Sequence, residues 1–342
     1  MLEVGLKMNK NIPKVSIIIP TMNREQSLER CLISLNKETF KNFEIVIVEG
    51  GDTNNTKKVI KNHKELKIKI IKQKEKGLVN AINEGILVSK GEIIVRTDDD
   101  IVADKEWINE IVKTFNESKK IGGVTGPTII PENLKNKRDL FYFQKKLQNG
   151  NIFWHILGKI YFNYFLEGKE KSIGKFFRSG AFSVGSNYKE NCKFKKSINV
   201  DHHEACNMAI RRHILIKIGY FDRKYLGIGD YSEADVSFKI IREGYKIIFN
   251  PKAVVKHLVD QNGVFANRSN SYERTLNFIN FYFINIKLNT IDKSIRFFSY
   301  LIFLNLFLVY KFISTKQISY LKGIRGTIVG LTENLFKNPI RR

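Results

Sequence analysis

Asp98, Asp99 and Asp100 stand side by side at the end of the apolar segment Glu92-Ile93-Ile94-Val95-Arg96-Thr97. Adjacent carboxylates repel one another, so three of them closing an apolar run need a cation to offset the repulsion. A divalent metal that also carries a phosphate-bearing ligand would do so. A solvated acidic turn is the plain alternative. Two further acids, Glu233 and Asp235, stand at the start of a segment whose Phe238, Ile241 and Arg242 read as a helix ending at Gly244. Acids in that position are ordinary N-terminal caps, stabilised by the helix dipole.

The surrounding elements decide what the triplet can reach. Residues 15–19, Val-Ser-Ile-Ile-Ile, form a short β-branched run stopped by Pro20, which predicts a buried strand ending at a turn. Leu28, Cys31, Leu32 and Leu35 follow at helical spacing. A second strand over 45–48 ends at Glu49-Gly50-Gly51-Asp52, and a third over 67–72 precedes Gly77 and a helix through Ala81 and Ile82. The fourth runs into the aspartates. Alternation of strand and helix with short gaps predicts an open α/β, mostly parallel, Rossmann-like sheet with helices on both faces. Ligands of such sheets sit outside the carboxyl ends of the strands. The turns at 20–24, 49–52 and 98–100 should therefore converge on one edge, where acids, Arg24 and glycine turns suit a nucleotide with its metal.

The chain has 342 residues, 43% hydrophobic and 12% aromatic, enough to bury a large core and too apolar for disorder. Its net charge of +24 is concentrated. Residues 133–200 carry 14 Lys and Arg against 4 acids, and residues 261–342 carry 12 against 3, so these two segments hold +19 of the total. Such clustering predicts contact with an anionic surface. Three cysteines, Cys31, Cys192 and Cys206, without Cys-x-x-Cys spacing, predict neither a disulfide framework nor a zinc site. Residues 1–13 lack the unbroken apolar stretch of a signal peptide, which predicts a cytosolic catalytic part.

Over roughly residues 14–260 the chain resembles glycosyltransferase family 2, inverting enzymes with the GT-A fold. The matching motifs, in order, are Ser16-Ile17-Ile18-Ile19-Pro20-Thr21-Met22-Asn23-Arg24, the acid-glycine turn from Glu49 to Asp52, Gly77 with Asn80, Ala81, Asn83 and Gly85, the aspartate triplet, Asn207-Met208-Ala209-Ile210-Arg211-Arg212, and Glu233 through Gly244. The resemblance implies sugar transfer from a nucleotide sugar, a UDP-sugar being favoured, with Mg²⁺ or Mn²⁺ on Asp100 and His257. It implies nucleotide-sugar contacts from Pro20, Thr21, Asn23, Arg24, Glu49, Asp52, Gly77, Asn80, Asp98 and Asp99. The acceptor side would hold Asn207, Arg211 and Arg212. The general base would be Glu233 or Asp235, with Glu233 favoured. Three positions depart from the common pattern: Glu49 replaces an aspartate, Ser232-Glu233 replaces Glu-Asp, and Ala205 replaces a glycine.

Domains 1–260, with a basic, aromatic-rich insertion at 133–200, and 261–342 follow from this reading. In the insertion, residues 152–166 are apolar on nearly every face and are either a buried helix or an element lying against a membrane. The apolar stretch 297–310, at 14 residues, falls short of the ~20 that span a bilayer. Lys293, Arg296, Lys311 and Lys316 flank it on both sides, which disfavours a single span under the positive-inside tendency. The expected partners are therefore a nucleotide-sugar donor, a lipid-linked or cell-surface glycan acceptor, and the anionic cytoplasmic face of a membrane, met by peripheral or monotopic helices. The apolar runs exceed what base stacking needs, so nucleic acid is not expected. A polyprenyl-phosphate sugar synthase and a non-catalytic nucleotide-sugar or polyanion binder are the alternative readings.

Overall fold

The computed structural model describes residues 12–135, 145–187, 189–260 and 271–337. Most of the basic run at 135–146 therefore lies outside the described residues, as does the chain just beyond the expected boundary at 260. The β-branched runs form β1 (Val15–Thr21), β2 (Phe43–Glu49), β3 (Ile68–Lys72) and β4 (Ile93–Arg96). These lie parallel in the order β3-β2-β1-β4, with Thr21 opposite Glu49 and Ile18 opposite Arg96. Successive strand residues face opposite sides. Ile17 and Ile19 accordingly pack with Leu28, Leu32 and Leu35 of α1 (Glu25–Asn36). Ile18 and Val48 pack on the other face with Val79, Ile82 and Ile86 of α3 (Leu78–Val88), while α2 (Thr53–Lys61) links β2 to β3.

After the triplet come β5 (Ile101–Ala103), α4 (Trp107–Glu117), β6 (Ile121–Thr125) and β7 (Thr128–Ile129). Later in the chain follow α5 (Ile152–Lys159), β8 (Ile198–Val200), β9 (Met208–Arg211), α6 (Arg212–Lys217), α7 (Ser232–Arg242), β10 (Lys246–Phe249) and β11 (Val255–His257). The large sheet has eight strands in the order β3-β2-β1-β4-β9-β6-β10-β8. β9 runs antiparallel between β4 and β6, and β8 runs antiparallel at the edge, so the sheet is mostly but not wholly parallel. A second sheet, β5-β11-β7, pairs His257 with Ile101 and so sets the imidazole beside the residue that follows the triplet.

The two basic segments meet each other. α8 (Ser271–Phe281), α9 (Ile291–Thr315) and α10 (Ser319–Thr332) pack on the insertion through one aromatic cluster, in which Tyr161, Phe165 and Phe177 meet Phe278, Tyr282, Phe297 and Tyr300. The helix expected around the stretch 297–310 is longer than the apolar run. Thr290 accepts a hydrogen bond from Lys293 N at its start and Lys316, at φ 59°, ends it after 25 residues, about 37 Å of helix. That is long and apolar enough to cross a membrane, yet Phe297, Tyr300 and Leu301 bury one side against the body while Ile291, Ile295, Phe298, Ile302, Leu306 and Ile313 are exposed along the other. On α5, Ile152, Phe153 and Ile156 are exposed as well, so the 152–166 segment is buried on one side only.

Candidate active site

The carboxyl end of β4 carries a buried network of opposite charges. Thr21 Oγ1, at the end of β1, donates to Asp99 Oδ2 at 2.6 Å. The Arg24 guanidinium lies 2.8 Å from Asp99 Oδ1 and 2.9 Å from Asp100 Oδ2. Arg96 NH2 lies 2.9 Å from Asp98 Oδ1 and 3.6 Å from Glu233 Oε1. Charges buried this deeply persist only when paired. Burial pushes the Asp99 carboxyl up to about 7 against the pull of Arg24. Burial acts on Asp100 in the same direction, but His257 and Arg24 together hold it below the usual carboxylate range.

Glu233 lies in the first turn of α7, and burial raises its carboxyl above the ordinary glutamate range while Arg96 pulls it back. Its helix starts from a strained residue. Tyr231 sits at φ 71°, a left-handed conformation that costs a tyrosine on the order of 1–3 kcal/mol. Its ring packs on Phe278 and Phe281 of α8, both with centroids 5.5 Å away, so the C-terminal helices hold the residue that positions Glu233. Asp235, two residues on and therefore about 200° around the helix, points elsewhere. It bonds Lys239 Nζ at 2.7 Å and accepts from Asn285 Nδ2 at 2.9 Å, so its oxygens are engaged away from Arg96 and Asp98.

A pocket of about 590 Å³, counted with its open mouth, lies beside this network and is lined by Pro20, Thr21, Arg24, Gly77, Asp99 and Gly227, among others. Its place outside the carboxyl ends of β1 and β4 is where open α/β sheets bind ligands. Gly77 takes φ 108° at the start of α3, a conformation open to glycine alone at little cost. Asn23 Oδ1 accepts from Asp52 N at 2.9 Å, and Asp52 caps α2 by accepting from Asn54 N, so these two residues order the turns at the rim. Glu49 differs from its expected role. Its side chain is wholly buried, accepting from Gly51 N at 2.5 Å and from Thr56 Oγ1, so it builds the turn from inside and does not line the pocket. Asn80 likewise donates to Lys76 O at 2.8 Å and supports the loop.

A cation has a place on the other side of Asp98. Donor atoms of Asp98, Cys206 and His257 all lie within 4.8 Å of one another. His257 Nε2 is buried without a hydrogen-bond partner, although Asp100 Oδ1 is 3.2 Å away. An orphaned imidazole nitrogen beside a carboxylate fits a divalent metal. Asp100, the expected ligand, accepts from Arg24 and Asp260 N through Oδ2, which leaves its Oδ1 facing His257 Nε2 at 3.2 Å. The Asp98 carboxylate, 13% exposed and paired with Arg96, adds a second acid near His257.

The expected acceptor residues are not brought to this site. Because β9 runs antiparallel to β4, Arg211 pairs with Ile93, at the far end of the strand from Asp98. Arg211 donates to the carbonyls of Ile121 and Phe115, and Arg212 to Ser89 Oγ. Asn207 is buried, accepting from Trp107 Nε1 and donating to Ala253 O. The residue that the sequence reading passed over is Arg96. Its signal was present, a lone arginine within a strand otherwise suited to full burial.

Comparison with known proteins identifies the family and the fold. The model of the family described as Glycosyl transferase family 2 matches residues 16–219. Among curated relatives, the poly-beta-1,6-N-acetyl-D-glucosamine synthase of Staphylococcus aureus is 24% identical over 249 residues, 72% of this chain and 50% of the relative. A dolichyl N-acetyl-alpha-D-glucosaminyl phosphate 3-beta-D-2,3-diacetamido-2,3-dideoxy-beta-D-glucuronosyltransferase of Methanococcus voltae is 28% identical over 154 residues, 41% of this chain and 47% of the relative. The chain thus spans half or less of the length of these relatives. Among solved structures, S. aureus TarS in complex with UDP-GlcNAc superposes with a TM-score of 0.58 at 15% identity, covering 94% of this chain and 81% of that one. A mannosyltransferase from Pyrobaculum calidifontis in complex with GDP-Man and Mn²⁺ gives 0.54 at 15% identity, covering 96% and 88%. Both share the GT-A architecture, an α/β fold built on a mostly parallel sheet.

Proposed function

This chain belongs to glycosyl transferase family 2, and we propose that it is a membrane-associated inverting enzyme that moves a sugar from a nucleotide donor, with a UDP-sugar favoured, to a lipid-linked or cell-surface glycan acceptor. The observation that carries the reading is that Asp98 and Glu233, from opposite halves of the chain, share the Arg96 guanidinium beside the strand-end pocket. The pocket receives the nucleotide, with Thr21, Arg24 and Gly77 around it. His257 with Asp98 and the free Oδ1 of Asp100 would hold a divalent ion, Mg²⁺ or Mn²⁺, which would supply charge stabilisation to the departing diphosphate.

Glu233 takes the proton from the acceptor hydroxyl as that oxygen attacks the sugar from the face opposite the diphosphate, which inverts the anomeric centre. Arg96 keeps the two carboxylates apart and oriented. Asp99 and Arg24 hold the turn after β4 in place by their buried pair.

The exposed apolar side of α9, the neighbouring Ile152, Phe153 and Ile156, and the basic flanks Lys293, Arg296 and Lys316 support attachment to an anionic cytoplasmic membrane face, with α9 lying in the interface. One side of α9 is committed to the aromatic cluster, so crossing the bilayer would strip that packing away. A panel of nucleotide sugars with Mn²⁺, scored for binding and slow hydrolysis, tests the donor. A lipid-phosphate product cleaved by mild acid would indicate that the lipid phosphate itself is the acceptor.

A further inference from the structure

Cys206 reads at first as one more small buried residue of the core beneath the sheet. Two features of its placement go beyond packing. It is one of the three residues whose donor atoms cluster within 4.8 Å, together with Asp98 and the buried His257 nitrogen that faces Asp100 Oδ1 at 3.2 Å. Its backbone is also held rigidly. Asn207 N donates to Glu204 O at 3.0 Å, Thr97 Oγ1 donates to Cys206 O at 2.8 Å, Glu204 N donates to Thr125 Oγ1 at 3.1 Å, and Thr125 Oγ1 donates to Asn207 O at 2.7 Å. Thr97 directly precedes the aspartates, so the same hydrogen bond fixes the thiol turn to the acid turn. The thiol turn is thereby set beside the acid turn.

We propose that Cys206 is a metal ligand, so that the cation of this chain is held by a carboxylate, an imidazole and a thiolate. On binding, the S–H bond breaks, a sulfur–metal bond forms and the proton leaves to water. The set is softer than two carboxylates, and by ligand type and the divalent affinity order it binds Co²⁺ and Zn²⁺ more tightly than Mn²⁺ or Mg²⁺. This rests on the assignment of Asp98 and His257 as the cation site.

The test is a Co²⁺ titration of the full chain with UDP present, followed in the visible and near-ultraviolet. Wild type should bind Co²⁺ and show a sulfur-to-cobalt charge-transfer band. The band should survive in Cys31→Ala and Cys192→Ala and vanish in Cys206→Ser, which should still bind Co²⁺ through its visible bands with affinity lowered about tenfold or more. Cys206→Ala, with circular dichroism and melting of each variant, guards against loss of fold. Co²⁺ bound by wild type with no such band, or a band that persists in Cys206→Ser, overturns the thiolate assignment and leaves the Asp98–His257 site standing. Absence of any bound Co²⁺ in wild type overturns both.

Discussion

One nitrogen of Arg96 reaches both Asp98, at 2.9 Å, and Glu233, at 3.6 Å, and so joins the end of β4 to the start of α7. The two acids are 135 positions apart in the chain, and the guanidinium between them is 3% exposed. A buried cation shared by two carboxylates fixes their separation and opposes the burial that raises the Glu233 carboxyl.

Arg96→Met should therefore do more than remove a charge. Two carboxylates lose their counter-charge in a desolvated site, which costs about 3–5 kcal/mol of stability. Denaturant melts should show that loss, and donor hydrolysis should fall with it. Arg96→Lys should recover part of the stability and less of the activity, because an ammonium group lacks the planar fork.

The two acids of α7 should separate cleanly. Glu233→Gln should keep the fold and donor binding and lower kcat by about 10²–10⁴-fold. Asp235→Asn should lower the melting temperature, since it weakens the bonds to Lys239 and Asn285, and leave kcat of the folded enzyme unchanged. Equal loss of kcat in both variants would contradict the roles given to them.

The raised pKa of Glu233 sets the direction of two pH effects. A base works only when ionised, so kcat/KM should fall with acid at a pH above the ~4.3 of an ordinary glutamate. For stability, a folded-state pKa above the unfolded value gives a contribution that is complete below the unfolded pKa and lost as pH rises through the folded one. The melting temperature of Glu233→Gln relative to wild type should accordingly rise between pH 4 and pH 8.

The exposed side of α9 should be separable from the chemistry. Ile302→Glu with Leu306→Glu puts charge on the apolar side and should weaken binding to vesicles containing anionic lipid by about tenfold or more, on an estimate of 1.5–3 kcal/mol per buried large side chain. Hydrolysis of a soluble donor should be unaffected. Vesicle flotation with and without salt checks both the apolar and the electrostatic parts.

Much of this architecture was legible in the residues. The runs at 15–19, 45–48 and 67–72 and the helix spacing of Leu28, Cys31, Leu32 and Leu35 gave the parallel half of the sheet, because period and β-branching report which faces are buried. Strand direction is not written in a short apolar run. The antiparallel course of β9 therefore went unseen, and Arg211 and Arg212 were expected at the wrong end. Side-chain direction within a turn was equally hidden. Glu49 faces inward, and Asp100 meets both Arg24 and His257, with Asp98 and Cys206 close to the same imidazole. The extent of α9 was underestimated since its polar first turn and its capping residues lie outside the hydropathy peak.

The account depends most on Glu233 being the base of a sugar transfer from a bound nucleotide donor. Its most direct test measures Mn²⁺-dependent hydrolysis and binding of a panel of nucleotide sugars by wild type and Glu233→Gln. The prediction is that one donor binds to both proteins with similar affinity and is turned over only by wild type. Failure of every donor to bind above background, or turnover by Glu233→Gln at the wild-type rate, would contradict it.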